Sequence, residues 1–136
     1  MYIKQVLIKM EYLNTTWKFT PFEGNNSFTF YINKKDNEFT MDISIIKDDI
    51  EENITNIPLQ VSPNHVYRSE EIPIKQEICY KTHIVNSVKF MLKFRNHKLS
   101  PVSSMTLNCV NVSNQTKPRI FILNMNNIEK YGLITR

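Results

Sequence analysis

The chain has 136 residues, 41% hydrophobic and 11% aromatic, with a formal net charge of +4. That length suits one domain able to bury a core without staples, and the apolar content argues against disorder. With only Gly24 and Gly132 and no alanine, the chain lacks the glycine-dependent turns of a Rossmann fold, a P-loop or a nucleophile elbow.

The abundance of isoleucine, asparagine, lysine and phenylalanine is the residue usage of an AT-rich genome. Its structural consequence is a lean toward strands, since alanine is the best helix former and isoleucine and phenylalanine suit half-buried pleated surfaces. Residues 2–13 fit both a helical face (Ile3, Val6, Leu7, Met10, Leu13) and an alternation (Val6, Ile8, Met10), and are read as a strand. Lys4, Lys9 and Glu11 interrupt any apolar run of signal-peptide kind there. Trp17, the single tryptophan, is read as a core anchor.

The β signal strengthens from Trp17. Ser27 to Ile32 predicts a strand, Lys34 to Asn37 a turn, and Glu38 to Ile46 the returning strand, where Phe39, Met41, Ile43 and Ile45 alternate with polar residues. Lys47 to Asn56 predicts an acidic loop with room for a short helical turn. Ile57 to Val61 predicts a brief strand, with Pro58 and Pro63 arguing for an edge or a loop there, and residues 62–73 look irregular. Further strands are expected at Ile78 to Ile84, Val88 to Phe94, Met105 to Cys109, and Ile120 to Met125. This spacing predicts an all-β single domain over residues 1–136. Its expected form is an antiparallel β-sandwich or jelly roll of roughly seven to nine short strands.

Charge is unevenly placed. Residues 1–35 carry +3, residues 36–77 carry −7, and residues 78–136 carry +8. The two candidate contact surfaces are an acidic loop (Asp48, Asp49, Glu51, Glu52) and a basic face (Lys89, Lys93, Arg95, Lys98, Arg119). Such segregation suits a protein partner of opposite charge, or self-association into a homo-oligomer. A basic stripe also suits nucleic acid. Base stacking, however, needs aromatics on the basic side, and alternation puts Phe90 and Phe94 on the other. The acidic run lacks the glycine-assisted turn of a calcium loop.

No catalytic constellation stands out. Cys79 and His83 have three residues between them and would share a strand face. With His97 and Cys109 they make only a nominal zinc set without a CxxC, so neither metal nor cofactor is expected. A Cys109–His83 dyad is conceivable, but nothing in the spacing marks it. No run reaches membrane-span length. The expected location is intracellular, cytoplasmic or nuclear. The alternative is a secreted form, suggested by a mild excess of glycosylation sequons at Asn14, Asn25, Asn53, Asn111 and Asn114.

The segment Ser27 to Ile32, a charged turn and Glu38 to Ser44 resemble the early hairpin of the nucleoplasmin-type β core. Leu99-Ser100-Pro101-Val102 followed by Leu107 and Cys109 is similar to that family's penultimate strand region, with Ile120 to Leu123 as the closing strand. The resemblance spans about residues 17–125 and implies a pentameric, histone-chaperone-like jelly roll whose acidic loops face basic clients. Lys18 stands where the family carries a glycine, and Asn111 to Pro118 replace its Gly-x-Gly-Pro-Val-like stretch. The reading that follows is a non-enzymatic module binding a protein through segregated acidic and basic surfaces, with a nucleic-acid-binding barrel as the runner-up.

Overall fold

The computed structural model describes residues 15–20, 26–95, 98–125 and 129–133, so the expected strand at 2–13 lies outside the described residues. Every regular element among them is a strand: β1 (Thr15–Phe19), β2 (Asn26–Lys35), β3 (Glu38–Lys47), β4 (Ile50–Val61), β5 (Val66–Ser69), β6 (Ile72–Pro73), β7 (Cys79–Tyr80), β8 (His83–Arg95), β9 (Lys98–Leu99), β10 (Ser104–Asn111), β11 (Pro118–Asn124) and β12 (Glu129–Leu133). The all-β antiparallel class expected from the spacing is present. No helix in the described residues is long and apolar enough to cross a membrane.

One antiparallel sheet runs in the order β11-β10-β8-β5-β4-β3-β2-β1-β12. Neighbours in this order are mostly neighbours in sequence, an up-and-down meander whose last strand returns to pair with β1. The long β8 is the spine of the second half. One edge pairs with β10, while the other pairs in succession with β5, β6 and β7.

The sheet curls onto itself because one face is apolar. Phe28, Phe30 and Ile32 of β2 are buried, as are Met41, Ile43 and Ile45 of β3, Val88, Phe90 and Leu92 of β8, and Met105 and Leu107 of β10. All belong to one cluster, and each large side chain so buried contributes roughly 2–3 kcal/mol. The rings of Phe30 and Phe90 meet at 5.6 Å although three strands separate β2 from β8 along the hydrogen-bonded path. Trp17 meets Phe94 at 6.2 Å, and Tyr67 meets Phe94 edge-on at 5.4 Å. The buried Trp17 thus serves as the core anchor expected of it.

Bulges bend the strands toward that closure. The β3–β4 register shifts between Met41 and Ile43. There Asn56 adopts φ 58° and donates its N–H to Asp42 Oδ1 at 2.9 Å, while the Tyr31 hydroxyl donates to Asp42 Oδ2 at 2.6 Å. A second shift, between Asn108 and Cys109, accommodates the bend of β8 against β10.

Four segments differ from expectation. The acidic stretch after Lys47 is not a loop. Asp48 and Asp49 form a two-residue turn with φ of 50° and 64°, and β4 begins at Ile50. Aspartate tolerates positive φ better than most residues, so a pair of them closes a hairpin of the type I′ kind without glycine. Pro58 is accommodated inside β4 because β5 pairs only with Leu59 to Val61, leaving Pro58 beyond its end. Residues 62–73 contain β5 and β6, and Ile78 to Ile84 is interrupted by a turn at Lys81–Thr82, after which β8 runs unbroken to Arg95. The described residues hold more strands, some of them longer, than the short spacing suggested.

Asp49→Gly is expected to raise stability by about 0.5–1 kcal/mol in chemical denaturation, because glycine takes the positive φ without steric cost. An unchanged or lowered midpoint would contradict a tight turn at this position.

Candidate functional site

A strand displays alternate residues on opposite faces, so the register decides which charges share a surface. Lys89, Lys93 and Arg95 alternate with the buried Phe90, Leu92 and Phe94 and therefore occupy the outer face of β8, with Met91 between them. Across β10 the row continues from Lys89 to Thr106 and on to Ile122 of β11. Arg68 of β5 pairs with Met91 and extends the basic stripe. It lay in a stretch read as irregular, so nothing in the sequence connected it to β8. A shallow groove lined by Gln60, Arg68, Glu70, Lys89, Met91 and Thr106 runs between them.

Of the other two expected basic residues, the side chain of one is not described and the other lies elsewhere. Lys98 pairs with Arg95 through β9, and its side chain lies outside the described set. Arg119 pairs with the buried Cys109, which places it on the opposite, inner face. The period of two makes the separation unavoidable, since Arg119, Phe121 and Leu123 share one side while Ile120 and Ile122 take the other. Those two isoleucines are 63% and 69% exposed on the outer face of β11, whose far edge has no pairing partner among the described residues.

The acidic group also divides. Asp48 and Asp49 stand exposed at the hairpin tip. Glu51 accepts a hydrogen bond from the Ser44 hydroxyl at 2.6 Å on the outer face. Glu52 turns inward and accepts the backbone N–H groups of Lys75 and Gln76, each at 3.1 Å, one on each carboxylate oxygen. The Gln76 side chain reciprocates by donating to the carbonyls of Ile45 and Ile50. Glu52 therefore anchors the segment leading into β7, and the acidic surface reduces to the turn and Glu51.

At the inner end of the second half, Tyr80, Lys81, His83, Arg119 and Phe121 come together. Tyr80 pairs with His83 across the turn, and both rings meet Phe121 edge-on, at 5.0 and 5.1 Å. The Arg119 guanidinium lies 4.7 Å from the Phe121 ring centre and the Lys81 ammonium 5.7 Å from it. The Arg-x-Phe spacing of Arg119 and Phe121 was visible in the sequence. That Tyr80 and His83 would join it depended on an unrecognised turn.

Cysteine and histidine chemistry is not assembled. Cys79 and Cys109 are both free thiols. The Lys81–Thr82 turn puts Cys79 opposite Ile84 rather than on the face of His83, so the shared face expected of Cys79 and His83 is not formed. Cys109 is buried, and burial pushes its thiol from 9.0 up to about 11. His83 Nδ1 lies 3.3 Å from the Thr82 hydroxyl rather than against the Cys109 sulfur. Among the described residues no three His, Cys, Asp or Glu side chains converge as metal ligands; His97 lies outside them.

No protein-family model matches the chain, and neither a curated protein nor a solved structure matches it.

Two outcomes follow from these placements. Glu52→Ala is expected to cost about 1–2 kcal/mol in denaturant unfolding by stranding two backbone donors, whereas a neutral effect would remove its anchoring role. In the native protein a disulfide-exchange reagent is expected to modify Cys79 quickly and Cys109 only on unfolding. The neutral Cys109 thiol favours the fold at pH values below its unfolded pKa, and that contribution is lost as pH rises through about 11. Rapid modification of both thiols at neutral pH would contradict the burial.

Proposed function

We propose that the chain is a non-catalytic binding module. Its contact surface is the outer face of β8, β10 and β11, and its partner is a protein segment combining acidic and apolar side chains. The observation behind this reading is the exposure of Ile120 and Ile122 on β11, whose far edge is unpaired among the described residues, with Ile122 in register with Lys89 of the basic stripe through Thr106. Natural sheets blunt open edges with charge or proline. Here the only charge on β11 is Arg119, which faces inward, and Pro118 stands at the strand's first residue. An exposed apolar strip beside a charged rim is the composition of a protein-binding surface. The β11 edge, unpaired among the described residues, adds backbone donors and acceptors that an extended partner segment can pair with.

The same face suits nucleic acid less well. Met91, Ser104, Thr106, Ile120 and Ile122 offer no ring for a base, and Phe90 and Phe94 are buried beneath it. The exposed Asp48–Asp49 tip is a separate surface at the end of the β3–β4 hairpin, available to a basic partner.

A short synthetic peptide of alternating glutamate and valine is the direct probe. It is expected to bind, with an affinity that falls as salt rises. Charge reversal of Lys89 and Lys93 or the substitution Ile122→Asp is expected to weaken binding by roughly tenfold or more, while an alternating lysine–valine peptide binds poorly. Equal binding of the two peptides, or affinity unmoved by these substitutions, would sink the proposal.

A further inference from the structure

The inner cluster around Phe121 is distinct from the outer face and stands on its own observations. Arg119 and Lys81 both approach the same ring, and the Lys81 ammonium also lies 5.4 Å from the Tyr80 ring centre. A ring quadrupole holds a cation in place without neutralising it. Neither Lys81 nor Arg119 has a carboxylate partner among the described residues. Two like charges therefore lie 4.7 and 5.7 Å from one ring centre, and an anion bound beside that ring would relieve their repulsion. The β10–β11 turn borders the cluster through the bond from Val112 N–H to the Thr82 carbonyl at 3.1 Å, with the exposed Lys117 on that turn.

The backbone supplies a second observation. Six described non-glycine residues have positive φ: Asp36, Asp48, Asp49, Asn56, His65 and Lys81. The first five are of the types that enter the left-handed region most readily. Lys81 is the exception, with φ 55° at the first position of a two-residue hairpin turn, where glycine, asparagine or aspartate would be easier. Its side chain is held at a position that disfavours it, and strain of this kind gathers where a side chain is needed.

We infer that Lys81 and Arg119 form a clamp for the phosphate of a nucleotide, either free or within a single strand, with Tyr80 and Phe121 as its aromatic wall. One guanidinium fork suffices for a carboxylate. A phosphate has oxygens enough for a fork and a separate ammonium together. The aromatic wall gives a nucleotide apolar contact that bare phosphate would not use.

The test is a titration with adenosine monophosphate and with an oligothymidylate, at low and moderate salt, followed through the backbone amide resonances. Shifts are expected at residues 80–83 and 119–121. Lys81→Gly and Arg119→Gln are each expected to weaken binding roughly tenfold to a hundredfold. Lys81→Gly relieves the turn, so a thermal midpoint at or above that of the parent separates lost binding from lost fold. Lys35→Gln, beside the Asp36–Asn37 turn, leaves the affinity unchanged. Equal affinity for the two probes assigns the clamp to free nucleotides, and much tighter binding of the oligothymidylate assigns it to a strand. If neither probe shifts these amides at low salt, or if Lys81→Gly and Arg119→Gln bind as tightly as the parent, the clamp is refuted.

Discussion

The contact of Phe30 with Phe90 is the constraint on which the rest of the structure depends. β2 and β8 are separated by β3, β4 and β5 along the sheet, yet their rings stand 5.6 Å apart because the apolar face has curled closed. Trp17 against Phe94 and Phe39 against Tyr67 extend the aromatic contacts through the same core. Once this face is buried, every strand has a defined inside and outside, and a slip of one residue in any register would exchange them. The separation of Arg119 from Lys89, Lys93 and Arg95 follows from that rule.

Closure also governs what the charges do. Along the sequence the acidic and basic blocks are segregated, but the fold interleaves part of them. Glu71 accepts a hydrogen bond from Asn108 of β10 at 2.9 Å, and Glu70 borders the groove beside Lys89. Glu52 secures the approach to β7, and the Lys47 ammonium is directed at the Glu77 carbonyl. Much of the acidic block therefore supports the fold. What faces outward is a basic stripe with two isoleucines at its edge and an acidic hairpin tip, while the two cations near the Phe121 ring belong to the inner side.

The fold class was legible in the sequence because β2, β3, β8 and β10 alternate cleanly. Met41, Ile43 and Ile45 are buried where the pattern puts them, and so are Phe90, Leu92 and Phe94. The outer placement of Lys89, Lys93 and Arg95 was legible for the same reason. The failures arose where turn chemistry was unusual. Asp48–Asp49 and Lys81–Thr82 close hairpins without glycine, so the sequence pattern reads as loop at the first and as strand at the second. Arg119 was grouped with the wrong face because its alternation, though visible, has meaning only once Cys109 is known to pair with it. Arg68 could not be joined to the basic face, since its partner Met91 is distant in sequence, and the pairing of Tyr80 with His83 was hidden by the Lys81–Thr82 turn.

The most direct test is a double-mutant cycle between Phe30 and Phe90, with leucine at each position and unfolding followed by the fluorescence of Trp17. If the sheet closes as described, the two substitutions are coupled by about 0.5–1.5 kcal/mol, the range of aromatic pairs in contact. Strictly additive effects would mean that β2 and β8 do not meet, and the assignment of inner and outer faces would fall with that contact.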